Sequence, residues 1–106
     1  MHLYWGVLFI AVIVEVMWAL SLKAIQDNPS ALLISVSIAL TALNMGLLSF
    51  AMRGIPIGTA YAVWTGLGSV GIATAGVFLY NDPMTGLRLL FMAFIISGVV
   101  GLKIVS

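Results

Sequence analysis

Residues 3–22 read LYWGVLFIAVIVEVMWALSL, twenty consecutive residues in which Glu15 is the single charged one. At about 1.5 Å per residue a helix of that length covers roughly 30 Å, the hydrocarbon thickness of a bilayer, and Glu15 falls about 18 Å along it. A carboxylate at that depth costs on the order of 2.5 to 3.5 kcal/mol, so a polar cavity, a partner or a proton must compensate. Glu15 is therefore the first candidate functional residue of the chain.

Working outward, three breaks divide the chain into four spans. The first is KAIQDNPS at residues 23–30, which combines charge, Asn and Pro; the second is Arg53-Gly54-Ile55-Pro56; the third is NDPMTG at residues 81–86. Between them lie apolar stretches of spanning length, so the sequence predicts an all-α membrane protein. It is read as a single four-helix transmembrane domain over residues 1–106, with helices at about 3–22, 31–52, 57–79 and 86–104. Four spans make too small a bundle to enclose a sizeable cavity alone, which predicts oligomerisation.

Composition supports the same class: 63% of residues are hydrophobic and 7% charged, with a mean hydropathy of +1.26. A soluble domain of this length has no interior large enough to hide that much apolar surface. The net charge of +1 gives no basis for a nucleic-acid partner. Cysteine is absent and the sole histidine is His2, so no metal cluster, cofactor site or nucleophile-base pair is expected and an enzyme is not. The N-terminal span lacks a basic leader and a small-residue cleavage site, and is read as part of the mature protein rather than a signal peptide. Residues 66–71, GLGSVG, match the dinucleotide-binding spacing, but no strand precedes them. They are read instead as close helix packing with a local bend, and Ser97 with Gly101 as a small-xxx-small contact between chains.

Basic residues divide evenly between the two sides. Arg53 and Lys103 belong with the termini, Lys23 and Arg88 with the first and third loops. The positive-inside rule then selects no orientation. Either the chain inserts both ways up, or a translocation partner or the N-terminal amine tips the balance.

On the first helix Glu15 and Trp18 share a face, and on the third Tyr61, Trp64 or Thr65, and Gly68 recur at helical spacing. A carboxylate flanked by aromatic faces suits an organic cation, each ring adding about 0.5 to 2 kcal/mol of cation-π attraction. Taken singly, Trp18, Tyr61 and Trp64 are more often packing residues, and only proximity to Glu15 reverses that. Tyr4 and Trp5 are read as interfacial belt aromatics.

EVMWALSLK at residues 15–23, PIGTAYAVWTGLG at 56–68 and GLK at 101–103 resemble the small multidrug resistance transporters, in particular their guanidinium-exporter subtype. The resemblance covers essentially the whole chain. It implies an antiparallel, dual-topology dimer in the bacterial inner membrane that exchanges protons for a small organic cation. The dimer would be a homodimer or a heterodimer with a paralogous chain. By the same resemblance Glu15 is the central carboxylate, Trp18 the tryptophan that marks the subtype, and Tyr61 and Trp64 the aromatic walls. Two positions depart from the pattern. Val12 stands where a small residue is usual, and Asn44 stands on the second helix where serine is common. Asn44 is either a direct contact for Glu15 or the substrate, or an interhelical hydrogen bond worth about 0.6 kcal/mol.

Transport by such a site follows from competition, because a desolvated carboxyl favours its neutral form until a cation displaces the proton. Guanidinium or a substituted guanidine is the expected substrate, a quaternary ammonium the alternative. A small non-transporting subunit of a larger complex would also be four apolar helices. A channel is disfavoured, since one acid and bulky aromatics make a poor continuous polar path.

Overall fold

The computed structural model describes residues 2–105, which form α1 His2–Asp27, α2 Ala31–Ala51, α3 Ile57–Tyr80 and α4 Gly86–Val105. All four are long and apolar enough to cross a membrane, and the chain is an all-α, multi-pass membrane protein.

Local chemistry sets the helix ends. α1 continues to Asp27, five residues beyond the Leu22 at which the apolar run ends. The additional turn carries an i,i+4 ion pair, Lys23 Nζ to Asp27 Oδ1 at 3.8 Å, which supports a helix outside the hydrocarbon. Ser30 then caps α2, its hydroxyl accepting from the Leu33 amide at 3.1 Å. Pro56 precedes the first residue of α3, where its fixed φ and missing N–H do no harm. α3 ends on Asn81, whose φ of 57° lies in the left-handed region that Asn tolerates. Thr85 caps α4 by accepting from the Arg88 amide at 3.1 Å.

α1 packs on both α2 and α3, while the backbone of α4 approaches that of α3 alone. Two cation-π contacts register the ends: Lys23 lies 5.7 Å from the Tyr80 ring and Lys103 lies 4.9 Å from the Trp5 ring. The buried core joins Leu8 and Ala11 of α1, Leu48 and Ala51 of α2, and Ala60, Val63 and Trp64 of α3. On α4 only Val99 is buried among the described residues, and Phe91, Phe94 and Ile104 are exposed. Within one chain α4 therefore offers most of its surface outward.

The α3 glycines work as close-approach positions in a helix that stays unbroken. A Cβ on Gly66 would sit 3.1 Å from Val99 Cγ2 of α4, and one on Gly71 would sit 2.8 Å from Val16 Cγ2 of α1. Tyr4 is more than a belt aromatic. Its ring lies on Gly54 in the second loop and 5.5 Å from Phe50, so it pins the α2–α3 turn to the start of α1. Hydroxyls inside the spans bond to their own helix, as Ser35 to Ala31 O at 2.8 Å and Thr74 to Val70 O at 2.8 Å. That back-bonding satisfies a polar group without a partner helix. Ser97 does the same, and among the described residues nothing lies within 4 Å of where a Cβ on Gly98 or Gly101 would sit.

Candidate functional site

Glu15 lies mid-way along α1, and the face it shares with Trp18 turns toward α2 and α3. Together with Thr41, Asn44 and Met45 of α2 and Trp64 of α3, these two residues line a cavity of about 100 Å³. Glu15 is its only charged group. Its carboxylate reaches across to Gly68 of α3, where Oε2 occupies the space a side chain would fill. Any residue but glycine at position 68 would push the acid out of its place.

Asn44 is 2% exposed, and its Oδ1 accepts a hydrogen bond from the Trp64 indole Nε1 at 3.2 Å. The interhelical bond left open by the sequence is thus formed between α2 and α3, while the same side chain also lines the cavity beside Glu15. The bond fixes the plane of the Trp64 ring, which is 8% exposed. Trp18 is half-buried, and its carbonyl accepts from the Ser21 hydroxyl at 2.5 Å. Thr41 donates to Ser37 O at 2.9 Å, so towards a cation its hydroxyl can offer acceptor lone pairs.

Tyr61 is placed differently from the other candidates named from the sequence. It is 54% exposed and lies outside the cavity lining, with its ring 5.5 Å from that of Trp64 and tilted by 50°. One turn nearer the start of α3 than Trp64, it extends the aromatic surface to the outside of the chain. Thr65 does not line the cavity, and its hydroxyl donates to Tyr61 O at 2.8 Å. Val12 packs against the apolar core rather than the cavity. Thr41 and Met45 were missed in the sequence. Their spacing from Asn44 puts them on its face of α2, but without knowing which face meets Glu15 that spacing carries no signal.

Two larger cavities lie elsewhere. One of about 290 Å³ sits between α1 and α3 near Lys23, Tyr80 and Asp82. The other, about 250 Å³, is an apolar groove between Trp5, Leu67 and Val100 with Lys103 at its edge. Neither contains Glu15, and the small cavity is the one in which a lone carboxylate meets aromatic side chains.

The Gly68 contact yields a test. Gly68→Ala should fold, since the atom it meets is the mobile end of Glu15 rather than backbone. Displacing that carboxylate should weaken cation binding about tenfold or more, roughly 1.4 kcal/mol, measured by calorimetry on purified protein. Unaltered affinity would mean that the position of the Glu15 carboxylate seen here is not the one used for binding.

Residues 3–95 match the family model described as Small Multidrug Resistance protein. A guanidinium exporter of Proteus vulgaris is 42% identical over 106 residues, covering 96% of this chain and 98% of that protein. One of Citrobacter freundii is 42% identical over 100 residues, with 94% and 95% covered. A third, from Salmonella typhi, is 40% identical over the same shares. With a carboxylate in a cavity between its first three apolar helices and this near full-length similarity, the chain belongs to the small multidrug resistance family.

Proposed function

We propose that this chain is a proton-coupled antiporter that exports a small planar organic cation, guanidinium or a substituted guanidine, across the bacterial cytoplasmic membrane. The observation that carries the reading is the cavity itself, where Glu15 stands as the sole charge beside Trp18, Asn44 and Trp64. Its relatives named as guanidinium exporters support the choice of cation. A guanidinium ion presents two parallel N–H groups to a carboxylate, the geometry of the strongest charge-assisted pairs. The same carboxylate can instead carry a proton. The two occupants exclude one another, and exchange of one for the other across the membrane couples efflux to the proton gradient.

The working unit of this proposal is an antiparallel dimer. Supporting it are the exposed Tyr61 ring at the edge of the site, the outward face of α4, and the even division of Lys and Arg between the two ends. In such a dimer the inward-open and outward-open states are one structure seen from opposite sides.

Proteoliposomes with an imposed pH gradient test the function. Guanidinium should be concentrated on the acidic side, and a quaternary ammonium such as tetrapropylammonium should be moved poorly or not at all. Movement of guanidinium that is indifferent to the proton gradient would refute the coupling, and preference for the quaternary ion would refute the substrate class.

Trp64→Ala should weaken cation binding by about 1 to 2 kcal/mol through lost packing and cation-π contact, and Tyr61→Ala, whose ring stands at the outer edge of the site, should weaken it by less. Trp64→Ala should also cost stability, because it removes a buried core side chain and strips Asn44 of its partner. Unchanged affinity on folded protein in both variants would remove the aromatic walls from the site.

A further inference from the structure

The Asn44–Trp64 bond dictates which part of the asparagine faces the rest of the cavity. An indole nitrogen is a donor only, so the atom 3.2 Å from Trp64 Nε1 is necessarily the Asn44 carbonyl oxygen. The carbonyl is anchored there, and the amide nitrogen with its two N–H groups is the uncommitted part of the side chain. Among the described residues no buried side-chain nitrogen or oxygen is left both sealed and unpartnered. The Asn44 amide nitrogen has no hydrogen-bond acceptor among the described contacts of this residue, so it is not sealed off, and the open space this residue lines is the cavity it shares with Glu15.

A guanidinium ion consists of donors alone. It can satisfy Glu15 and it can stack on a ring, but it has no acceptor with which to answer an N–H group. A planar cation with a carbonyl oxygen next to its guanidinium group has both: donors for Glu15 and an acceptor for Asn44. We propose that Asn44, held by Trp64, is a selectivity residue that favours acylated or carbamoylated guanidinium ions over unsubstituted guanidinium. The inference rests on cation export through the Glu15 cavity and assigns a substrate class within it. Thr41 and the 48% exposed Met45, on the same face of α2, leave the side of the cavity beyond Asn44 open to the larger ion.

The test compares guanidinium, methylguanidinium and carbamoylguanidinium in proteoliposomes of the full chain. Methylguanidinium controls for size, since it adds bulk without an acceptor. The unaltered protein should show a KM for carbamoylguanidinium about five- to tenfold below that for methylguanidinium, the worth of one hydrogen bond. In Asn44→Leu, which keeps the bulk and loses both amide groups, that ratio should fall to about one. Trp64→Phe keeps a ring and removes the indole N–H, freeing Asn44 to turn its oxygen inward. The two donor-only ions should then gain an acceptor while carbamoylguanidinium loses its donor, and the ratio should again fall to about one or below. Trp64→Phe serves as the deciding variant if Asn44→Leu does not fold.

Three outcomes would overturn the proposal: no preference in the unaltered protein, an unchanged ratio in both variants, or equal shifts for all three cations in Asn44→Leu. The last would mean that the amide acts on the Glu15 carboxylate instead of on substrate. Failure to move any of the cations would refute cation export itself, and guanidinium movement without preference would refute only the role of Asn44.

Discussion

Glu15→Gln protein is expected to insert and fold and to lose coupled transport entirely. The amide keeps the shape of the side chain that fills the space against Gly68, so the α1–α3 contact survives. What it removes is the single charge of the cavity and with it the exchangeable proton. Deleting one partner of a desolvated charge pair costs about 2 to 5 kcal/mol, so cation affinity should fall by roughly 30-fold or more. Glu15→Asp should retain exchange with an altered dependence on pH, because its shorter side chain draws the carboxylate back from α3. The measurement is guanidinium accumulation in proteoliposomes with and without a proton gradient, beside a thermal melt. A Gln variant that still concentrated the cation would place the coupling site elsewhere.

Orientation offers the second large effect. Lys23 and Arg88 lie at one end of the helices, Arg53 and Lys103 at the other. Asp27 and Asp82 at the first end do not alter the balance, since acids contribute little to orientation. One added arginine should break the tie. His2→Arg should drive the termini to the cytoplasmic side, and Asn28→Arg, in the exposed first loop, should drive them to the other. If the working unit is an antiparallel homodimer, each variant expressed alone becomes inactive and the two together recover export. The absence of native cysteine allows single cysteines at the two ends to be labelled from outside. A fixed orientation of the unaltered chain, expressed with no sister protein, would exclude the dual-topology homodimer and leave a paired heterodimer or a parallel assembly.

The long apolar runs and the Pro-bearing breaks at 23–30, 53–56 and 81–86 carried the four spans in plain view. They did so because a bilayer core permits few ways of satisfying the backbone, and a helix is the one available to a short isolated run. The depth of Glu15 was legible for the same reason: it is a distance along a helix axis, fixed by rise per residue. The end of α1 was less so, because the Lys23–Asp27 pair extends the helix beyond the hydrocarbon, where hydropathy no longer reports it.

What only the tertiary structure decided was the rotation of each helix about its axis. In a soluble helix a polar face shows which side turns inward, but here all sides of a span are apolar, since lipid accepts them as readily as protein does. Packing therefore chose that Asn44 meets Trp64 across 20 residues of sequence, that Thr41 and Met45 join the cavity, and that Tyr61 remains at its outer edge. Glu15 announced itself by the energetic cost of its charge in hydrocarbon; its neighbours, being neutral, became recognisable only once the helices were packed.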